Sequence, residues 1–229
     1  MARIASQQGT RNARIKNPAP PKLSANLRLA EMPHDNFEHD AVIRGVRYDG
    51  ASFAGLSVEA LEADGCSFES VRFTGTDLRQ AQFSDSRFET CDFAQLVTQD
   101  VSLIRCHVTG SRITGASWKS GTFRDVRIEE SQSSPAMYRH MKLYSVVFSD
   151  CRMIGADFQA AEMHNVRFEN CDLTGAQFAN AVMGVVRFEN CTLIDVGGAV
   201  GLKGATVQGP GSMELALSLA REAGILFEP

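Results

Sequence analysis

Six cysteines and five histidines are the residues of this chain best suited to metal binding or redox chemistry. Thiols form disulfides or zinc sites only when their spacing brings them together, but the chain has no CxxC and no histidine at zinc-ligand spacing from a thiol. Instead, the cysteines alternate with Ala, Val, Ser and Thr at one recurring position, which indicates a demand for small volume. These cysteines are Cys66, Cys91, Cys106, Cys151, Cys171 and Cys191. We therefore predict six buried thiols that bind no metal and form no disulfide.

Motifs for hydrolytic or nucleotide chemistry are missing from the sequence, which lacks GxSxG, GxxxxGK(S/T), HExxH and GxGxxG. His34 and His39 lie beside Asp35 and Asp40 in a cluster with some metal-ligand character. Solvated polar residues ahead of a repeat explain this cluster equally well. We expect no catalytic residues, no cofactor and no metal, and therefore no enzyme.

The element that positions these side chains is a five-residue repeat, which runs from Ile43 to Leu193 without a change of register. Its 31 centres are large and apolar except at Ala63, Thr98 and Ser133, and they include twelve of the fourteen phenylalanines. The small residues, cysteines among them, lie two places before each centre. Neither the period of a helix nor that of a flat strand fits this pattern, so the chain is a repeat protein.

A second period, of twenty residues, indicates the shape of the repeat. The segments VVFSDC at 146–151 and VRFENC at 166–171 and 186–191 are near copies of one another. Twenty residues are four pentads, so one coil has four faces, and equivalent residues stack at about the strand spacing of 4.8 Å. With motifs such as Ala156-Asp157-Phe158 and Cys171-Asp172-Leu173-Thr174-Gly175, the chain resembles the pentapeptide-repeat family.

The resemblance implies an all-β solenoid, a right-handed quadrilateral β-helix of about eight coils with a C-terminal α-helical cap. We divide the chain into a flexible basic tail (1–22), an N-terminal cap (23–40), the pentapeptide-repeat β-helix (41–195), and a Gly-rich linker with a C-terminal helix (196–229). Within the repeat, Leu61 beside Ala63 and Leu96 beside Thr98 are expected to exchange volume between neighbouring inward positions.

Both ends of the solenoid need caps, because an open edge of parallel strands would pair with other chains. Ser24 is a candidate N-cap for a short helix that ends before Pro33, and Ser212 is a candidate N-cap for a C-terminal helix that ends at Gly224. The C-terminal helix is apolar over more than one stripe. Because related family members dimerise through such a segment, we predict a homodimer, against the alternative of a helix that only caps its own coil. The expected dimer contacts are Met213, Leu215, Leu217, Leu219, Ile225, Leu226 and Phe227.

The outer faces carry both signs of charge, and the repeat holds 19 acidic and 15 basic residues. One face alternates Arg and Glu in a pattern typical of self-compensated surfaces. The segment 131–141 departs most from the repeat, and we predict a local bulge or kink there with functional residues at Ser133, Pro135, Tyr138 and Arg139. The candidate partner-binding residues on the faces are Asp77, Asp92, Asp100, Asp157, Asp172, Arg87, Glu89, Arg127, Glu129, Arg167 and Glu169.

The leading functional hypothesis is a non-enzymatic protein-binding solenoid. Resemblance to the quinolone- and topoisomerase-poison-resistance type of the family, without its inserted loops, implies a DNA mimic that binds DNA gyrase or topoisomerase IV and protects it from antibiotics. The mixed charge argues against strong mimicry of a phosphate backbone. The alternative is a structural or scaffolding protein whose partner is unrelated to DNA topology, with the basic tail or segment 131–141 as its contact.

The overall charge of −4 and the lack of a long apolar run predict a cytoplasmic protein with no membrane segment. Five basic residues and no acidic one occur in 1–22, which leaves open a nucleic-acid-binding arm as a third alternative. Because the repeat itself is acidic, we do not expect direct nucleic-acid binding.

Overall fold

The computed structural model describes residues 15–227, and these residues form a four-faced parallel β-solenoid. Within the repeat, paired strand residues lie twenty positions apart, as in the ladder Phe148–Phe168–Phe188. The strands are β1 Arg28–Leu29, β2 Val42–Arg44, β3 Val46–Asp49, β4 Ser57–Glu59, β5 Glu62–Asp64, β6 Ser67–Glu69, β7 Asp77–Arg79, β8 Gln82–Ser84, β9 Arg87–Glu89, β10 Val97–Gln99, β11 Ser102–Thr109, β12 Ser117–Lys119, β13 Thr122–Glu129, β14 Lys142–Ser149, β15 Glu162–Glu169, β16 Val182–Met183, β17 Val186–Glu189 and β18 Thr206–Gln208. A 3-10 helix at Ala199–Leu202 and an α-helix, α1, at Gly211–Glu222 follow the repeat.

The corners of the solenoid explain its five-residue period. The last residue of nearly every pentad adopts a left-handed backbone, with φ near +60° at glycines such as Gly50 and at polar residues such as Asp125 and Asn165. Glycine, Asn and Asp tolerate this conformation better than bulkier residues do, so they recur at the corners. Each corner turns the chain by one face and returns the next centre to the interior.

The interior is a stack of the predicted centres. Phe168 is fully buried, and its ring stacks 5.0 Å from that of Phe148 and 4.9 Å from that of Phe188, with nearly parallel planes. Leu61 and Leu96 are buried beside the small centres Ala63 and Thr98, as the predicted exchange of volume requires. The fold is therefore built on one continuous apolar column.

The N-terminal end is closed without the helix predicted from Ser24, and that prediction is wrong. The short strand β1 instead adds to β3 in parallel register, with the Arg28 amide donating to Gly45 O and the Ala30 amide to Arg47 O. An edge of unpaired strand groups is better satisfied by another strand than by a helix, which would leave those groups without partners. Phe37 then plugs the first coil by stacking 3.9 Å above Phe53.

The C-terminal end confirms the predicted helix but not its N-cap. Helix α1 begins at Gly211 after Pro210, and no side chain caps it, so the prediction of Ser212 as N-cap is wrong. It ends at Glu222, and Gly224 terminates it as predicted, in a Schellman motif where the Gly224 amide donates to Arg221 O and the Ile225 amide to Ala220 O. The Gly-rich segment between repeat and helix is more than a linker, because it contributes strand β18 to the last coil.

Segment 131–141 keeps the register of the solenoid. Gln132 bridges to Arg112 and Arg152, and Met137 bridges to Ser117 and Asp157, so no extra residue bulges out of the coil. The local irregularity is the cis peptide bond between Ser134 and Pro135. The oversized Met141 is fully buried, and its sulfur accepts a hydrogen bond from the Gly121 amide at 3.1 Å. Among residues 15–227, no helix is long and apolar enough to cross a membrane.

Candidate functional surfaces

All six cysteines face the interior of the solenoid, as predicted, and all are free thiols. Each sulfur lies within hydrogen-bonding distance of a carbonyl of the preceding coil, as Cys91 does with Phe68 O at 3.4 Å. Burial raises the pKa of Cys91 and Cys106 to about 12, so neither forms a thiolate at neutral pH. In the part of the chain that the structure describes, no three metal-ligating side chains come together.

The cluster around His34 and His39 serves the N-terminal cap. The Asp35 carboxylate is buried, pairs with the Arg28 guanidinium and accepts a hydrogen bond from the Glu31 amide at 2.8 Å. His39 Nδ1 accepts from the Glu59 amide at 3.2 Å instead of joining Asp35. The hydrogen bonds from Arg28 lower the pKa of Asp35 to about 2.

The Arg and Glu residues of the alternating face neutralise one another. Arg127 Nη1 lies 2.8 Å from Glu129 Oε1, and Arg167 Nε lies 2.9 Å from Glu169 Oε1. The Arg87–Glu89 pair is looser at 3.4 Å. His107 joins the centre of this ladder, with Nε2 at 2.8 Å from Glu129 Oε2. We call this surface the paired face, and because its charges are paired, it presents little net charge to a partner.

The acidic candidates lie on two other faces and form no common cluster. Asp77 pairs with Arg79, Asp157 pairs with Arg139 at 2.6 Å, and Asp100 occupies an exposed corner of the same face. The adjacent face carries the other two: Asp92 pairs with Arg112 at 2.9 Å, and Asp172 accepts from the Thr174 amide and hydroxyl. Most of these carboxylates are engaged in local contacts, so the solenoid lacks a continuous acidic stripe along these residues.

The residues singled out in segment 131–141 have structural partners. The Ser133 and Tyr138 hydroxyls form a buried hydrogen bond of 2.7 Å, so a polar centre is compensated by its neighbour. Burial raises the pKa of Tyr138. Arg139 reaches Asp157 on the next coil, and Pro135 occupies a corner of the solenoid. Nothing in these contacts directs the segment toward a ligand.

Helix α1 packs one side on the last coil and leaves the other open. The Glu214 carboxylate accepts a hydrogen bond from the Leu193 amide at 2.6 Å, and Glu222 accepts from the Ala199 and Val200 amides. Leu215 packs partly against the core. The remaining predicted dimer contacts are exposed, at 70% for Met213, 41% for Leu217, 39% for Leu219, 54% for Ile225, 90% for Leu226 and 54% for Phe227.

One surface was missed from the sequence. Residues 16–22, which were predicted to be part of a flexible tail, run along a corner of the solenoid, and we call them the strap. The Lys16 amide donates to Asn165 Oδ1 at 2.8 Å, the Ala19 amide to Asp125 Oδ1 at 3.1 Å, and the Lys22 amide to Asp85 Oδ1 at 3.0 Å. The prediction of a flexible tail is therefore wrong for residues 16–22. Residues 1–14, the rest of that predicted tail but for Ile15, lie outside the described part of the chain. The prolines at 18, 20 and 21 and the acceptors at 85, 125 and 165 are the sequence signals that could have revealed it.

Comparison with known proteins identifies this repeat. A model of the pentapeptide repeat region matches residues 133–196, and a second model, of eight copies of the pentapeptide repeat, matches residues 63–95. The chain is a pentapeptide-repeat protein. Its solenoid is accordingly the right-handed quadrilateral β-helix of that family.

One solved structure shares this fold at low sequence identity, and a second is similar to part of the chain. A trypsin-treated variant of QnrB1, described as a plasmid-mediated fluoroquinolone resistance protein, is 15% identical over 88% of this chain and 96% of its own, with a TM-score of 0.56. HetL from Nostoc sp. strain PCC 7120, described as involved in heterocyst differentiation regulation, is 13% identical over 74% of this chain and 87% of its own, with a TM-score of 0.26. No curated protein matches the sequence significantly.

Proposed function

We propose that this pentapeptide-repeat protein is a non-enzymatic binding solenoid that recognises a protein partner through its outer faces. This proposal depends on one observation: the residues that could do chemistry are packed inside the solenoid. The centres and the small column fill the interior, and even the thiols are withdrawn from solvent. Recognition is thereby left to the four outer faces and the two ends. Six free thiols suit a reducing compartment such as the cytoplasm.

We further propose DNA gyrase or topoisomerase IV as the first partner to test. The support is the fold shared with QnrB1, a fluoroquinolone resistance protein, over nearly its whole length. The unbroken register of residues 43–193 gives a rod without inserted loops. Ion pairs on its faces leave this rod little net charge with which to mimic DNA phosphates. It would therefore be recognised in the DNA-binding channel of a topoisomerase by its shape rather than by its charge.

The test is a supercoiling and cleavage assay with purified gyrase, relaxed plasmid and a quinolone. We expect the full chain at micromolar concentration to inhibit supercoiling or to reduce quinolone-stabilised cleavage. Two double variants on opposite faces locate the contact: Glu89→Gln with Glu169→Gln, and Asp77→Asn with Asp100→Asn. One pair should lose the effect while the other retains it. The absence of both inhibition and protection, with gyrase and with topoisomerase IV, would refute this partner.

The neutralised paired face favours a second candidate, a scaffolding role with a partner unrelated to DNA topology. Mutual pairing of Arg and Glu suits a surface that docks a neutral or mixed-charge protein. Affinity purification from the native host with the wild-type chain and the same two double variants distinguishes the candidates. Recovery of topoisomerase subunits supports the first candidate, and recovery of another protein that one variant loses supports the second.

A further inference from the structure

The strap lies on a ladder of polar residues at one corner of the solenoid. This corner column consists of Asp85, Arg105, Asp125, Ser145 and Asn165, one residue per coil, each with a left-handed backbone. Asp85, Asp125 and Asn165, on every second coil, accept the hydrogen bonds from the strap amides. The intervening residues Arg105 and Ser145 bind the side chains of two of these acceptors. Arg105 forms two hydrogen bonds to Asp85, and Asn165 Nδ2 donates to Ser145 Oγ at 2.9 Å.

The spacing of these acceptors matches the period of a polyproline II helix. Two coils rise by about 9.6 Å at about 4.8 Å per strand spacing. Three residues of polyproline II rise by about 9.3 Å, because each residue advances about 3.1 Å. The strap donates its amides at positions 16, 19 and 22, at that same interval. Every third residue of a polyproline II segment therefore meets an acceptor.

The composition of the strap favours this conformation. Proline fixes φ near −65°, and the residue before a proline is restricted to extended backbone. Pro18, Pro20 and Pro21 thus hold the intervening residues extended, and they have no amide hydrogen that would be left unpaired between the bonded positions. Asn165 also donates to Lys16 O at 3.0 Å, so it contacts both polar groups of that residue's backbone.

We infer that the corner column is a recognition site for proline-rich segments in the polyproline II conformation with a non-proline residue at every third position. Residues 16–22 act as its intramolecular ligand. Recognition through backbone amides depends on the proline pattern more than on side-chain identity, so a proline-rich segment of another protein with this pattern would compete with the strap.

The strap is suited to displacement. Its bonds from Lys16 and Ala19 are solvent-exposed, and Ala19 and Pro20 are themselves exposed. An opening of about 220 Å³ remains between Pro18–Pro21 and the side chains of His107, Asp125 and Arg127. The intramolecular ligand therefore leaves room that a bulkier side chain of an external segment would fill.

The probe for this site is a fluorescent peptide with the sequence IKNPAPPKLS, which reproduces residues 15–24. The full-length Ala19→Pro variant removes the central amide donor but keeps the polyproline II preference, so its own strap should release the column. We expect this variant to bind the peptide at least about tenfold more tightly than the wild type does, because one hydrogen bond to a carboxylate is worth about a factor of ten in affinity.

Two controls separate backbone recognition from charge attraction. A peptide with proline at the position of Ala19 keeps the charge and the conformation but lacks the central amide, and it should bind about tenfold more weakly. Adding Asp125→Ala to the Ala19→Pro chain should abolish the preference for the first peptide. Asp150→Ala, at the equivalent corner of the next face, should retain it.

Amide hydrogen exchange of the wild-type chain gives an independent measurement. The amides of Lys16 and Lys22 should exchange more slowly in the wild type than in the Ala19→Pro variant, and the wild-type Ala19 amide, which the variant lacks, should also be protected. Equal affinity of the two peptides, the absence of peptide binding to the Ala19→Pro chain, or unprotected wild-type amides would each overturn the inference. None of these outcomes depends on whether gyrase is the partner.

Discussion

Single residues in this solenoid are selected by the direction in which the pentad points them. The small column accepts Cys where it also accepts Ala, Val, Ser or Thr, and Cys106 and Cys171 lie in it with almost no exposed surface. At this position sulfur provides volume and a weak donor to the preceding coil. At the corners, the left-handed backbone favours Gly, Asn and Asp. Of these three, only Asn and Asp bring functional groups to the surface.

Asp35 is a buried acid whose ionisation contributes to the stability of the N-terminal cap. Its pKa is lowered to about 2, chiefly by the hydrogen bonds from Arg28, whereas an Asp in an unfolded chain titrates near about 3.9. A lowered pKa means that the ionised form stabilises the folded state at pH values above about 4. This stabilisation is lost as the pH falls from about 4 to about 2.

We therefore predict that Asp35→Asn lowers the free energy of unfolding by about 1–3 kcal/mol at neutral pH, because charged hydrogen bonds to Arg28 and the Glu31 amide are lost. The melting temperatures of variant and wild type should converge as the pH falls below about 4. Glu38→Gln, an exposed acid in the same segment, is the control and should change neither value. A difference in melting temperature that persists unchanged down to pH 2 would contradict the role of this carboxylate.

At the scale of elements, the repeat itself could be predicted from the sequence and its ends could not. Inward and outward positions follow from the period alone. The burial of Phe168, and of Leu61 beside the small centre Ala63, could therefore be predicted. The N-terminal strand β1 was not, because Leu27 to Met32 has helical propensity and only tertiary pairing with β3 overrides it. The strap was missed for the same reason, since its partners are about 60 to 150 residues away.

Helix α1 seals the last coil with carboxylates, and this predicts a measurable loss when one is removed. Glu214→Ala would leave the Leu193 amide without its acceptor beneath the helix, at a cost of about 1–3 kcal/mol. Glu214→Gln keeps an acceptor oxygen and should retain most of the stability. Urea unfolding at one fixed protein concentration measures both variants, and equal losses for Ala and Gln would show that charge rather than the hydrogen bond matters.

At the scale of the whole molecule, the two ends of the rod differ in what they leave exposed. The N-terminal end is filled by Phe37 and covered by β1, whereas the C-terminal helix and the residues after it expose apolar side chains at Met213, Leu217 and Leu226. Exposed apolar surfaces of this kind mark interfaces, and closed twofold symmetry is the commonest way to bury one on an identical chain. This asymmetry supports a tail-to-tail homodimer.

The predicted dimer is tested by making the exposed side of α1 polar while leaving the solenoid intact. The double variant Met213→Lys with Leu217→Lys should be a monomer, whereas the wild type should be a dimer of twice that mass. Sedimentation equilibrium measures both masses. The control is Val97→Lys, which places a single lysine on a residue of comparable exposure (50%) on a solenoid face, beside Asp77. It should leave the mass unchanged. Since neither substituted helix position packs on the last coil, unfolding should not account for dissociation.

The shape of the particle distinguishes tail-to-tail from side-by-side association. The longest column contains ten strands, so one rod is roughly 43 Å long at about 4.8 Å per spacing. Joining two rods through their C-terminal helices should therefore give a particle more than twice that length, and small-angle X-ray scattering measures it directly. A wild-type chain that sediments as a monomer, or a dimer no longer than one rod, would leave α1 as a cap alone. In that case the exposed face of the helix would have to be explained by a different partner.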